Sequence, residues 1–121
     1  MRVLVADDDP EMLELVSNIM RRKFHAEVTR AATGHELLEH IADTEWDLII
    51  TDISMPWMTG LQVMHSARTA GLPVPVVVMT ALRNPELAGQ VEALGSRARL
   101  IFKPFTYKEL LAAVDAVEHA A

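Results

Sequence analysis

The sequence predicts an α/β domain in which helices cover a parallel β-sheet, and three observations carry that expectation. Short aliphatic runs alternate with longer segments of helical period along the whole chain. Three of the five short runs are apolar almost throughout, the composition of strands with both faces covered. The chain has 121 residues, 50% hydrophobic and 23% charged with five Gly and six Pro, so residues 1–121 read as one globular domain.

The first strand is expected at Val3 to Ala6. Pro10 follows where its fixed φ and missing N–H suit a first helical turn, and Met12, Leu13, Val16, Ile19 and Met20 share one face of the helix. Glu27 to Ala31 alternates, with Val28 apolar and Thr29 and Arg30 polar, which places this second strand at a sheet edge. Leu37, Leu38 and Ile41 form the next helical stripe, preceded by Thr33-Gly34. A third strand at Leu48 to Thr51 leads to a stripe of Leu61, Met64 and Ala67. The fourth strand, Val76 to Thr80, leads to a helix that begins after Asn84-Pro85, buries Leu87, Val91 and Leu94, and stops at Gly95. Leu100 to Phe102 is the last strand. The last helix opens at Thr106 as N-cap, with Glu109 three residues on, and buries Leu110, Leu111, Val114 and Val117.

Composition excludes several classes of function. Seventeen acidic against eleven basic residues give a formal net charge of −6, so the surface repels phosphate backbones and anionic lipid, and nucleic-acid or membrane binding by this domain is not expected. No Cys is present, which removes disulfides and thiolate metal sites. Apolar runs fall far short of the roughly 20 residues that span a bilayer. Val3-Leu4-Val5-Ala6 followed by three aspartates is not a signal-peptide core, so a cytoplasmic protein is expected.

Right-handed crossovers put all strand C-terminal ends on one edge of the sheet, where open α/β folds bind ligands. Strand one ends in Asp7, Asp8 and Asp9, strand three in Asp52, strand four in Thr80 and strand five in Lys103. Clustered carboxylates raise one another's proton affinity, and a divalent cation relieves the repulsion; an all-oxygen site favours Mg²⁺. Asp52 is then free to act as a nucleophile toward a phosphoryl group, a reaction that needs charge neutralisation more than acid or base. Mg²⁺, the Lys103 ammonium and the Thr80 hydroxyl are suited to supply that neutralisation.

Leu4-Val5-Ala6-Asp7-Asp8-Asp9-Pro10, Asp47-Leu48-Ile49-Ile50-Thr51-Asp52-Ile53-Ser54-Met55-Pro56 with Gly60, Met79-Thr80-Ala81 and Phe102-Lys103-Pro104-Phe105 together resemble the receiver domain of two-component response regulators. The resemblance spans essentially the whole chain. It implies a three-layer α/β/α sandwich of flavodoxin-like topology, a five-stranded sheet of order 2-1-3-4-5, and a phosphorylation-controlled switch that is not itself an enzyme. By the same resemblance Asp52 is the phosphoacceptor, and Mg²⁺ is held by Asp8 directly, by Asp7 largely through water, and by Asp52 and the Ser54 backbone carbonyl. Thr80 shifts toward the phosphoryl group and Lys103 pairs with it. The Lys103-Pro104 bond is expected to be cis. The implied partners are a sensor histidine kinase or phosphotransfer protein and an output domain beyond residue 121 or a separate effector, with homodimerisation on phosphorylation as an option.

Some positions depart from the commonest pattern of the family. Thr80 to Lys103 is one residue longer, an extension assigned to Gly95-Ser96-Arg97-Ala98-Arg99. Leu100 stands where many receivers carry Tyr or Phe that swings inward on activation. Ser54 and Leu82 occupy positions that influence the lifetime of the acyl phosphate.

Plainer readings apply to other residues. Asp9 reads as a cap of the first helix. His25, His35, His40, His65 and His119 lack ligand spacing and read as solvated side chains, and Met12, Met20 and Met64 as core fillers. Met55, Trp57 and Met58, in the loop after Asp52, suggest a partner-docking patch, and Arg97, Arg99 and Lys108 a small basic surface. A haloacid-dehalogenase-like phosphohydrolase is the rival reading from another class, but it needs a second Asp where this chain has Ser54. A flavodoxin-like electron carrier is disfavoured by aspartates that repel an FMN phosphate, and a receiver-like module that is never phosphorylated is disfavoured by the complete acidic set. The chain ends just after its last helix, as a single-domain regulator or a receiver cut from a longer protein.

Overall fold

Five parallel strands, β1 (Arg2–Ala6), β2 (Glu27–Ala31), β3 (Leu48–Asp52), β4 (Val76–Thr80) and β5 (Ala98–Phe102), form one sheet of order β2-β1-β3-β4-β5 in the computed structural model. The structure describes residues 1–120; Ala121, the last residue of the expected domain span, lies outside the described residues. Helices α1 (Pro10–Phe24), α2 (Gly34–Asp43), α3 (Gly60–Thr69), α4 (Glu86–Glu92) and α5 (Tyr107–Glu118) alternate with the strands. The expected architecture and strand order are therefore present, and β2 lies at the edge where its polar residues placed it.

Successive strand residues point to opposite faces, and each face feeds its own core. Leu4, Ile49, Val76 and Val78 pack with Leu37 and Ile41 of α2, Met64 of α3, and Leu87 and Val91 of α4. Val3, Val5, Leu48, Ile50, Val77 and Met79 pack with Val16 and Met20 of α1 and with Leu110, Val114 and Val117 of α5. Burying each such side chain stabilises the fold by about 1.5–3 kcal/mol, so these two layers hold the sheet without any covalent cross-link. Among the described residues no helix is long and apolar enough to cross a membrane.

The helices start where side chains satisfy the free backbone N–H groups. Asp9 caps α1 with Pro10 in the first turn, Thr33 caps α2, and Thr59 with Gln62 and Thr106 with Glu109 form reciprocal capping boxes on α3 and α5. Helix α4 has Pro85 at its N-cap with no side-chain cap there; one residue earlier, Asn84 accepts the Glu86 N–H on its Oδ1 at 3.0 Å.

Several details differ from expectation: α4 ends at Glu92 and not at Gly95, and Leu94 reaches the core from the turn that follows the helix. Strand β5 begins at Ala98 and not at Leu100, because Ala98 and Arg99 pair with Val76 and Val77; an edge strand lets the Arg99 side chain stay in water while its backbone completes the ladder. Only Gly95 to Arg97 of the stretch assigned to the extra residue thus lies outside the strand, and Gly95 supplies the turn with φ of 101°. Leu111 is only half-buried, since the inner face of α5 is made by Leu110, Ala113, Val114 and Val117.

Candidate functional site

The sheet register places the polar strand ends side by side: Ala6 pairs with Thr51, Asp52 with Met79, and Thr80 with Phe102. Asp7, next after β1, is fully buried; its Oδ1 accepts the Asp9 N–H at 2.9 Å and its Oδ2 lies 2.7 Å from Lys103 Nζ. Asp8 is exposed, and Asp9 is turned away to cap α1, accepting the Glu11 N–H at 3.0 Å. Of the three consecutive aspartates, two face the site and one serves the helix.

Asp52 closes β3 and is 5% exposed. Its Oδ1 accepts the Ser54 N–H at 3.3 Å and its Oδ2 lies 3.2 Å from Lys103 Nζ. The loop behind it is fastened by the Gly60 N–H donating to the Ile53 carbonyl at 3.0 Å. A Cβ on Gly60 would collide with the Asp52 carbonyl oxygen, so only glycine lets α3 start this close to β3. Lys103 is positioned by its N–H donating to the Thr80 carbonyl at 2.7 Å, and the Lys103-Pro104 bond is cis as expected. Thr80 is fully buried, its Oγ1 accepting the Leu82 N–H at 2.9 Å.

Carboxylate oxygens of Asp7, Asp8 and Asp52 lie within 4.8 Å of one another, with one ammonium among them. Burial, and then the charge of Asp7, push the Asp52 carboxyl up from 3.8 to about 6 against the opposing pull of Lys103 and the Ser54 N–H. Burial draws the Lys103 ammonium down, but the Asp7 hydrogen bond and the Asp52 and Asp7 charges outweigh it and hold its pKa above the ordinary value. The cluster keeps excess negative charge on an all-oxygen donor set with one exposed carboxylate, which suits a hard divalent cation that retains water.

The loop after Asp52 corrects the expected docking patch. Met55 is buried and Met58 packs on the α2–α3–α4 core, leaving Trp57 alone exposed, at 91%. Trp57 has φ of 74°, a left-handed conformation that non-glycine residues rarely adopt. The expected basic surface is also altered, because the guanidinium groups of Arg97 and Arg99 turn onto the carbonyls of Pro73 and of Ser96 and Ala98. Leu82 and Ser54 are exposed beside the site, and Leu100 packs against the core. One neighbouring contact went unread in the sequence: Arg83 stacks on the Phe102 ring, its Cζ 4.6 Å from the centroid, and no local pattern announces it. A hollow of about 370 Å³ lined by Trp46, Pro73 and Glu118 lies at the other end of the strands, away from the carboxylates.

Comparison with known proteins agrees with this geometry. The family described as the response regulator receiver domain matches residues 3–115. The transcriptional regulatory protein DltR of Streptococcus agalactiae is 34% identical over 115 residues, covering 94% of this chain and 50% of that protein. The chain thus spans about half the length of such relatives. The chemotaxis response regulator CheY4 of Vibrio cholerae superposes with a TM-score of 0.83 at 29% identity, covering 96% of this chain and 97% of that one. TrrA of Thermotoga maritima, solved in complex with Mg(2+)-BeF, gives 0.83 at 27% identity with the same coverage. With the family match over residues 3–115 added to the sheet order and the acidic edge, the chain belongs to the receiver domains of two-component response regulators.

Proposed function

We propose that Asp52 accepts a phosphoryl group from a sensor histidine kinase or phosphotransfer protein in the cytoplasm, and that the phosphorylated domain changes its contacts with an output domain or separate effector. The observation that carries this reading is the convergence of Asp7, Asp8 and Asp52 on one point, with Lys103 Nζ bridging Asp7 and Asp52. A carboxylate oxygen of Asp52 attacks phosphorus while the P–N bond to the donor imidazole breaks, its electron pair staying on nitrogen. The product is a mixed anhydride on Asp52, and water later returns the carboxylate and free phosphate.

The donor set fits Mg²⁺, which Asp7, Asp8 and Asp52 would hold together with the Ser54 carbonyl. Bound there, the ion supplies charge neutralisation for the transferring phosphoryl oxygens. Lys103 is already poised against Asp52 Oδ2 and adds a second positive charge, while Thr80 offers a hydroxyl donor at the end of the neighbouring strand. Ser54 stands where a hydrolase would need its second carboxylate, which favours a switch over a phosphatase.

Incubation with acetyl phosphate and Mg²⁺ is expected to add one phosphoryl mass to the intact chain. Asp52→Asn or chelation should prevent it, and equal labelling of the Asp52→Asn chain would refute the assignment.

A further inference from the structure

Receiver function needs a moving part, and Leu100 does not supply one: it has no ring, and it packs against the α2–α3–α4 core. The segment after β4 does. Residues 81–84 have no regular structure, and two contacts tie them to the sheet. One is the Leu82 N–H donated to Thr80 Oγ1 at 2.9 Å, and the other is the Arg83 guanidinium lying over Phe102 at 4.6 Å.

These two contacts are mechanically linked. Leu82 and Arg83 are adjacent, and Thr80 and Phe102 are register partners on β4 and β5. Phe102 is the fixed partner, because the next residue, Lys103, is pinned by its N–H to the Thr80 carbonyl and by its ammonium to Asp7. Thr80 Oγ1 accepts a hydrogen bond but, among the described residues, donates none, although a hydroxyl carries one donor as well as acceptor lone pairs. Its buried proton lies unused at the end of β4, beside the end of β3, where a phosphoryl group on Asp52 would present acceptor oxygens.

We infer that the Arg83–Phe102 stack is the latch of the switch: it is closed while Thr80 Oγ1 holds the Leu82 N–H, and it opens when that hydroxyl turns to a phosphoryl oxygen on Asp52. The inference rests on the phosphoacceptor reading. Rotating the Thr80 side chain about its Cα–Cβ bond to aim that proton at the phosphoryl oxygen carries Oγ1 away from the Leu82 N–H, and the loop carries the neighbouring guanidinium off the ring. An exposed cation–π contact is weak, so the loss of one hydrogen bond shifts its population. Opening uncovers an aromatic face and frees a cation between β5 and α4, a local change of both shape and charge that a partner can read.

The test follows the Arg83 Nε–H and the Leu82 amide by NMR, with fluorine NMR reporting bound fluoroberyllate. In the free protein the Arg83 signal should be displaced by the ring current, and Phe102→Leu should move it to the position of a free arginine. Mg²⁺ and fluoroberyllate should move the wild-type signal the same way and speed Leu82 amide exchange by about ten-fold or more. Thr80→Val, which cannot accept the hydrogen bond, should open the latch without ligand, and Thr80→Ser should keep it closed. An Arg83 signal unmoved in wild-type protein that demonstrably holds fluoroberyllate would overturn the latch alone, as would wild-type behaviour in Thr80→Val. Failure of wild-type protein to bind fluoroberyllate would overturn the phosphoacceptor reading and the latch with it.

Discussion

Asp52 should destabilise the metal-free domain at neutral pH, and removing its charge should stabilise it. The folded protein holds the Asp52 proton with a pKa raised from 3.8 to about 6. Between those values the folded state binds more protons than the unfolded one, so stability falls as pH rises through this window and stays lowered above it. A shift of this size corresponds to roughly 3 kcal/mol at 1.36 kcal/mol per unit, an upper bound because Asp52 shares Lys103 with Asp7. Asp52→Asn keeps the shape, loses the charge and leaves Lys103 paired with Asp7. It should gain about 1–3 kcal/mol near pH 7.5 in EDTA, or about 4–12 °C in thermal midpoint for a domain of this length. Near pH 5 wild-type Asp52 is mostly protonated in the folded state, and the advantage should fall to about half. Urea or thermal melts of both chains at the two pH values decide it. An Asn variant no more stable than wild type near pH 7.5, or an advantage independent of pH, would refute the reasoning.

Millimolar Mg²⁺ should stabilise the wild-type domain by about 1 kcal/mol through mass action on the native state, and Asp8→Ala should remove most of that gain in the same melts. Gly60→Ala forces a methyl into the Asp52 carbonyl and should cost about 2 kcal/mol or more while suppressing phosphoryl labelling measured by intact mass. Trp57→Gly relieves a left-handed backbone at a side chain that is 91% exposed. It should leave labelling by acetyl phosphate unchanged and stability equal or higher by up to about 1 kcal/mol, read from urea midpoints.

The parts of this molecule that were legible in the sequence are those written as local period. Strand alternation, helix stripes and caps are contacts within a few residues, and they placed ten elements in order, the strand ends to within two residues. The site was legible for a related reason: in an open parallel sheet the strand C-termini converge by topology, so knowing the strands is enough to bring Asp7, Asp52, Thr80 and Lys103 together. What remained hidden depends on contacts between distant segments. Met58 reads as an exposed loop residue until the approach of Gly34, whose Cβ would strike Met58, shows the loop folded against α2. Ala98 and Arg99 read as loop until the free edge of β4 recruits them. Arg83 and Phe102 lie in segments with unrelated patterns, and no spacing rule pairs them.

The same excess charge that makes the site recognisable also makes it responsive. An apo pocket with satisfied charges would gain little from a cation or a phosphoryl group, and binding would then have no free energy with which to move anything. Here Asp7, fully buried, holds the Lys103 ammonium at 2.7 Å against 3.2 Å for Asp52, and the charge on Asp52 is opposed by burial and by Asp7 together. In the proposed switch a divalent cation would relieve the carboxylates, and the phosphoryl group would bring oxygens that compete with Asp7 for Lys103 and that draw the Thr80 hydroxyl away from the Leu82 N–H. Each competition breaks a contact that holds part of the apo structure in place: Lys103 at the end of β5, and Leu82 in the loop leading to α4. On the proposed reading, chemistry at Asp52 would reach β5 and α4 through hydrogen bonds that the apo fold lends to its own loops, a route that does not pass through Leu100.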